Sequence, residues 1–159
     1  MKKLTFKKVF YDFLKSSGHN PEFTENSDIF INFREGVIYF HFYNDDSRFY
    51  QSIYRFDFMY ETENIKNIFY KAALLTNTQI KFAKICSIKE QKDENKGVIY
   101  VVVDFLIPAD IETLKNQSTE LKIYLDISLE STQEALNFLE KTVNEMLKED
   151  NSTVSGTEK

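Results

Sequence analysis

Apolar positions in the opening stretch fall at Phe6, Val9, Phe10, Phe13 and Leu14, with Lys7, Lys8, Asp12 and Lys15 mostly opposite them. Spacing of i, i+3, i+4, i+7 and i+8 predicts an amphipathic helix. Ser16-Ser17-Gly18 ends it, and Asn20-Pro21 prevents its resumption. Beyond residue 28 the period drops to two. Ile29, Ile31 and Phe33 alternate with Phe30 and Asn32, Arg34-Glu35-Gly36 offers a reversal, and Ile38, Phe40 and Phe42 alternate with Val37, Tyr39, His41 and Tyr43. This pattern predicts a β-hairpin. After the turn residues Asn44-Asp45-Asp46-Ser47, a third strand over 49–60 carries Phe49, Ile53 and Met59 on one side and Tyr50, Tyr54, Phe56, Phe58 and Tyr60 on the other.

Helical spacing returns at Ile65, Ile68, Phe69, Ala72 and Leu75, with Thr62 as N-cap and Asn77 as stop. Strands are expected over 79–88 and 98–107, joined by an exposed connection from Lys89 to Gly97 that holds no apolar residue. The second of these, β-branched on both faces, belongs inside the sheet and stops at Pro108. Leu121, Ile123, Leu125, Ile127 and Leu129 alternate strictly, which predicts a sixth strand, and Ser131-Thr132-Gln133-Glu134 reads as a capping box opening a last helix. The expected fold is α+β: three helices and an antiparallel sheet of five to six strands in the order α-βββ-α-βββ-α. Residues 1–150 make a single domain, and 151–159, small and polar, a disordered tail.

Composition changes the picture in two ways. With 15 Phe and 9 Tyr among 159 residues, aromatic side chains must dominate the packing. With 20 Lys plus Arg against 25 Asp plus Glu, the net charge of −5 repels phosphate backbones, so no nucleic acid is expected as partner. No segment approaches the length of a membrane span, and the single cysteine, Cys86, rules out an internal disulfide, so the expected compartment is the cytoplasm. Cys86 shares its strand side with Ile80, Phe82 and Ile88 and reads as a buried thiol.

Candidate chemistry is sparse. One Cys and two separated His do not make a zinc site, and Asn44-Asp45-Asp46 lacks the glycine and closing Glu of a calcium loop. Phosphate-cradling glycine motifs and nucleophile elbows are absent from the sequence. Asp57 and Asp104 sit inside apolar strands as solvent-facing or base-paired carboxylates, and His19 lies in a loop. No catalytic residue and no cofactor or metal is therefore expected, and the protein is not expected to be an enzyme. What stands out is a set of tyrosines with one histidine: Tyr39, His41 and Tyr43 on the second strand, Tyr50, Tyr54 and Tyr60 on the third, and Tyr100 later. Tyrosine suits surfaces covered at one end and wet at the other, so these seven residues form the candidate protein-interaction face.

The opening helix closed by Ser17-Gly18-His19, the strands of 28–60, the helix Ile65 to Leu75, the following strands and the final helix together resemble the type III secretion chaperone-like fold, and especially its YbjN-like bacterial proteins. The likeness is one of element order, size and acidity over roughly residues 4–148, and the sixth strand at 121–129 departs from the five-stranded pattern. It implies an acidic homodimer that binds extended segments of other proteins without hydrolysing nucleotide, and it transfers no catalytic residue. The expected function is thus a non-enzymatic protein-binding module, chaperone-like or adaptor, that recognises a polypeptide through the aromatic face or a free strand edge. The alternative is a small-ligand-binding or regulatory domain with a pocket between sheet and helices near His41.

Overall fold

A computed structural model describes residues 5–44, 49–88, 95–107, 110, 114 and 118–155. Among these residues three helices and six strands follow one another: α1 (Phe6–Ser16), β1 (Glu22–Phe23), β2 (Ile29–Phe33), β3 (Gly36–Phe42), β4 (Phe49–Met59), α2 (Glu63–Gln79), β5 (Ala83–Ile88), β6 (Lys96–Leu106) and α3 (Ser118–Ser155). The turn at 45–48 and most of the polar connection, 89–94, lie outside the described residues, as do Pro108 and the last four residues of the expected tail.

Local chemistry explains the boundaries. Thr5 and Thr62 cap the first two helices by accepting from the backbone N–H of Lys8 and Ile65, each at 3.3 Å. Gly18, at φ 88°, takes the left-handed conformation that lets the chain leave α1. Strand β1 carries too few residues to show a period. It is held to β2 by a tight reversal in which Thr24 N–H donates to the Asp28 carbonyl at 2.9 Å and the Thr24 hydroxyl accepts from Asp28 N–H at 3.0 Å.

The sheet is wholly antiparallel in the order β1-β2-β3-β4-β6-β5. After β4 the chain crosses through α2 to the far edge, lays down β5, and returns as β6 into the gap. Strands β4 and β6 pair over eleven positions, from Phe49↔Leu106 to Met59↔Lys96, and form the spine of the sheet. Its register fixes two faces. One presents Ile38, Phe40, Phe42, Tyr50, Tyr54, Phe58, Val101, Val103 and Phe105, all buried. All three helices pack there: Phe10 of α1 lies 5.1 to 5.5 Å from the rings of Phe40, Phe42 and Tyr50. On α2, Phe69 stacks on Phe58 at 4.1 Å, and Tyr124 of α3 meets Phe105 edge-on at 6.2 Å.

The expected sixth strand at 121–129 is instead the first part of α3. Leu121 and Leu125 are buried, but they continue through Ser128, Thr132, Ala135, Leu139 and Val143 as a helical stripe, while Ile123 is half exposed. A Leu or Ile at every second position also satisfies every fourth, and neither Gly nor Pro interrupts 118–155, so one long helix wins. The count of six strands survives because β1 takes the missing place. Ser131-Thr132-Gln133-Glu134 is consequently helix interior and not a capping box: Thr132 is buried and its hydroxyl donates to the Ser128 carbonyl at 2.8 Å. The helix runs on to Ser155, into the stretch expected to be unstructured.

Candidate functional site

No described element covers the opposite face of the sheet. Successive registers put Phe30 opposite Tyr39, Tyr39 opposite Ile53 and Ile53 opposite Val102, a row of four apolar side chains across β2, β3, β4 and β6. The Phe30 and Tyr39 rings lie 6.0 Å apart, and all four residues are partly exposed. Beside this row Phe49 and Leu106 face each other, 39% and 66% exposed, and Met59 at the far end of β4 is 64% exposed. An aromatic and aliphatic row left in water on a sheet face marks a contact surface.

Carboxylates on this face each have a partner. Arg55 Nη2 lies 2.8 Å from Asp57 Oδ1, its Nε donating to the same carboxylate. Asp104 accepts from Gln51 Nε2 at 2.8 Å with Lys84 Nζ at 3.6 Å, and His41 Nδ1 sits 2.8 Å from Asp28 Oδ1. Asp57 and Asp104 are therefore the solvent-facing, base-paired carboxylates expected of them. Each exposed pair contributes little stability, about 0 to 1 kcal/mol, but each gives its carboxylate a partner on the face.

The seven candidate residues divide between the two faces. Tyr39, His41 and Tyr100 lie on the uncovered face, and Tyr43, just past the end of β3, is 82% exposed. Tyr50, Tyr54 and Tyr60 are buried under the helices, because the even-numbered positions of β4 pair with Phe42, Ile38 and their core neighbours. Burial pushes the Tyr54 hydroxyl above the usual tyrosine range, with Arg34 opposing. In their place the open face gains Phe30, Phe49, Ile53, Met59, Val102 and Leu106. Strand parity alone separates Ile53 from Tyr54, but only the cross-strand register shows that Ile53, and not Tyr54, adjoins Tyr39. Cys86 is also on this side, opposite Tyr100 and exposed, contrary to the expected buried thiol, since β5 starts only at Ala83 and points Ala83 and Ile85 inward.

Both edges of the sheet are short or partly occupied. Strand β1 is two residues long, and β5 is engaged at its middle by Asn77, which sits inside α2 and does not end it. Asn77 Nδ2 donates to the Ile85 carbonyl at 2.7 Å and its Oδ1 accepts from Ile85 N–H at 2.5 Å, occupying the outward-facing pair at the middle of the edge that a docking strand would use. Asn77→Ala is expected to cost about 1–3 kcal/mol in chemical unfolding and to produce higher oligomers in size-exclusion chromatography. A variant that stays as stable and as small as the parent contradicts this role.

On the helical side grooves border α3, and one of them, between Arg34, Glu35, Phe56, Leu136 and Glu140, takes in Tyr54 of the seven candidate residues, while His41 lines none of these. Among the described residues no group of three or more His, Cys, Asp or Glu is placed to hold a metal ion, and no helix is long and apolar enough to cross a membrane.

No protein-family model matches the sequence, and no curated protein matches it. Among solved structures, the chain is similar to YbjN, a candidate transcription regulator from E. coli, with a TM-score of 0.60 over 86% of this chain and 91% of that one at 9% sequence identity. At that identity the likeness is one of fold, and it agrees with the resemblance seen in the sequence: the chain has a YbjN-like fold.

Proposed function

We propose that the protein is a non-enzymatic module, chaperone-like or adaptor in kind, that binds another polypeptide across the uncovered sheet face and acts as a homodimer. The observation that supports this is the row Phe30, Tyr39, Ile53 and Val102, left open while all three helices crowd the other face. Because the surrounding carboxylates already have partners, recognition runs through apolar and aromatic contact, and the two-residue β1 and the Asn77 bonds at the middle of β5 favour the face over strand addition. Any part in regulating transcription, as YbjN's description suggests for that protein, would on this acidic chain run through protein contacts and not through phosphate.

The test starts from tagged protein purified from its own cells, with retained partners identified by mass spectrometry and the mass of the complex obtained by light scattering. A stoichiometric polypeptide partner is expected. Ile53→Lys is expected to weaken its binding about tenfold or more while leaving the melting temperature within a few degrees, since Ile53 lies outside the core. Retention of nothing, or full binding by Ile53→Lys, sinks the reading. A strict monomer by light scattering removes the homodimer alone.

A further inference from the structure

The exposed side of α3 carries a surface distinct from the sheet face. An open groove of about 630 Å³ is lined by Phe33, Ile80, Leu129 and Phe138, with Glu130 and Glu134 among its flanking residues. Phe33 comes from the end of β2 and Ile80 from just after α2, so the apolar lining exists only where sheet, α2 and α3 meet. The groove follows α3 from Leu129 to Lys141, about 18 Å at 1.5 Å per residue, three turns of a helix laid alongside.

Charge singles out the occupant. Lys141 already faces Glu145 at 3.9 Å, and the adjoining Glu140 is bound by Arg34 at 3.4 Å. Glu130 and Glu134, both exposed, have no ion-pair partner among the described residues. Two like charges one turn apart disfavour the helix that carries them by a few tenths of a kcal/mol. Beside an apolar groove they would be relieved by cations on whatever fills it. A second copy of this chain, at −5, suits the place poorly.

We infer that this groove docks a basic amphipathic helix of a partner protein, its apolar stripe against Phe33, Ile80, Leu129 and Phe138 and its Lys or Arg flank against Glu130 and Glu134. This surface is separate from the sheet face and does not depend on the function proposed for that face.

The probe is a fluorescent synthetic peptide of about 14 residues, with Leu at i, i+3, i+4 and i+7 and Lys along one flank, read by anisotropy against the full chain. The parent protein is expected to bind it and to bind it more weakly as salt rises, whereas the same peptide with Glu for Lys is rejected. The double variant Glu130→Lys/Glu134→Lys, altered only at exposed positions, is expected to lose about tenfold or more in affinity. Phe138→Asp should lose as much, and Ile53→Lys should bind as the parent does. Absence of binding overturns the inference, as does equal binding of the Glu peptide or affinity untouched by the double reversal. Loss of binding in Ile53→Lys would move the peptide to the sheet face and overturn it too.

Discussion

Replacing Tyr50 by alanine will remove the ring around which the core is arranged, at an expected cost of about 3–5 kcal/mol. Tyr50 is fully buried, and its ring lies 5.2 to 6.1 Å from those of Phe10, Phe40, Phe42 and Phe105, which joins α1 to three strands. Domains of this size are stable by only about 5–15 kcal/mol, so Tyr50→Ala should unfold at markedly lower denaturant or not fold at all. Tyr50→Phe separates ring from hydroxyl. The hydroxyl meets Ser128 Oγ at 3.3 Å, but Ser128 also donates to the Tyr124 carbonyl at 2.9 Å and is not orphaned by the change. A loss of about 0.5–1.5 kcal/mol is therefore expected.

The same pair reads out pH. Burial holds the Tyr50 hydroxyl well above the usual tyrosine range, with its contact to Ser128 opposing. A raised pKa means that the folded state keeps a proton which the unfolded chain gives up. Its contribution is thus intact below about pH 10 and is lost progressively as pH rises above that value. Tyr50→Phe should flatten the alkaline fall in stability, leaving the smaller share of Tyr54, whose hydroxyl is raised in the same direction. An alkaline limb identical in parent and Tyr50→Phe would refute the assignment.

Gly97→Ala is expected to destabilise the protein by about 1–3 kcal/mol although it adds one methyl group. Gly97 on β6 pairs with Phe58 on β4, and a Cβ at Gly97 would fall on the Phe58 ring. That ring cannot simply move aside, because it is stacked on Phe69 of α2 at 4.1 Å and has Tyr70 edge-on at 6.1 Å. Phe58 thus spans the bare glycine and clamps α2 to the sheet, an aromatic cover over a strand glycine. In Gly97→Ala/Phe58→Leu the smaller side chain relieves the clash, so the double variant should lose less than the sum of the two single losses. Additive losses in urea titrations would show that the two residues do not act together.

Much of this architecture could be read from the chain alone. The 3.6-residue stripe of α1, the alternation of β2 through β4, Thr62 as a cap and the placement of β6 inside the sheet are local consequences of which residues follow which. Periodicity did not decide 121–129, where alternate Leu and Ile fit a strand and a helix equally. Burial on one side only, with Ser128 and Thr132 bonded to carbonyls four residues back, makes it helical. Likewise the tyrosines looked like one surface because parity within a strand says which residues share a side, not which side the helices occupy. The cross-strand register and the docking of all three helices on one face sent Tyr50, Tyr54 and Tyr60 into the core and left His41 and Tyr43 exposed and Tyr39 and Tyr100 partly so. The Asn77 bonds to the edge strand depend on how α2 packs beside β5, and the groove shared by Phe33, Ile80 and Phe138 joins residues far apart in the chain, so only tertiary packing could create them.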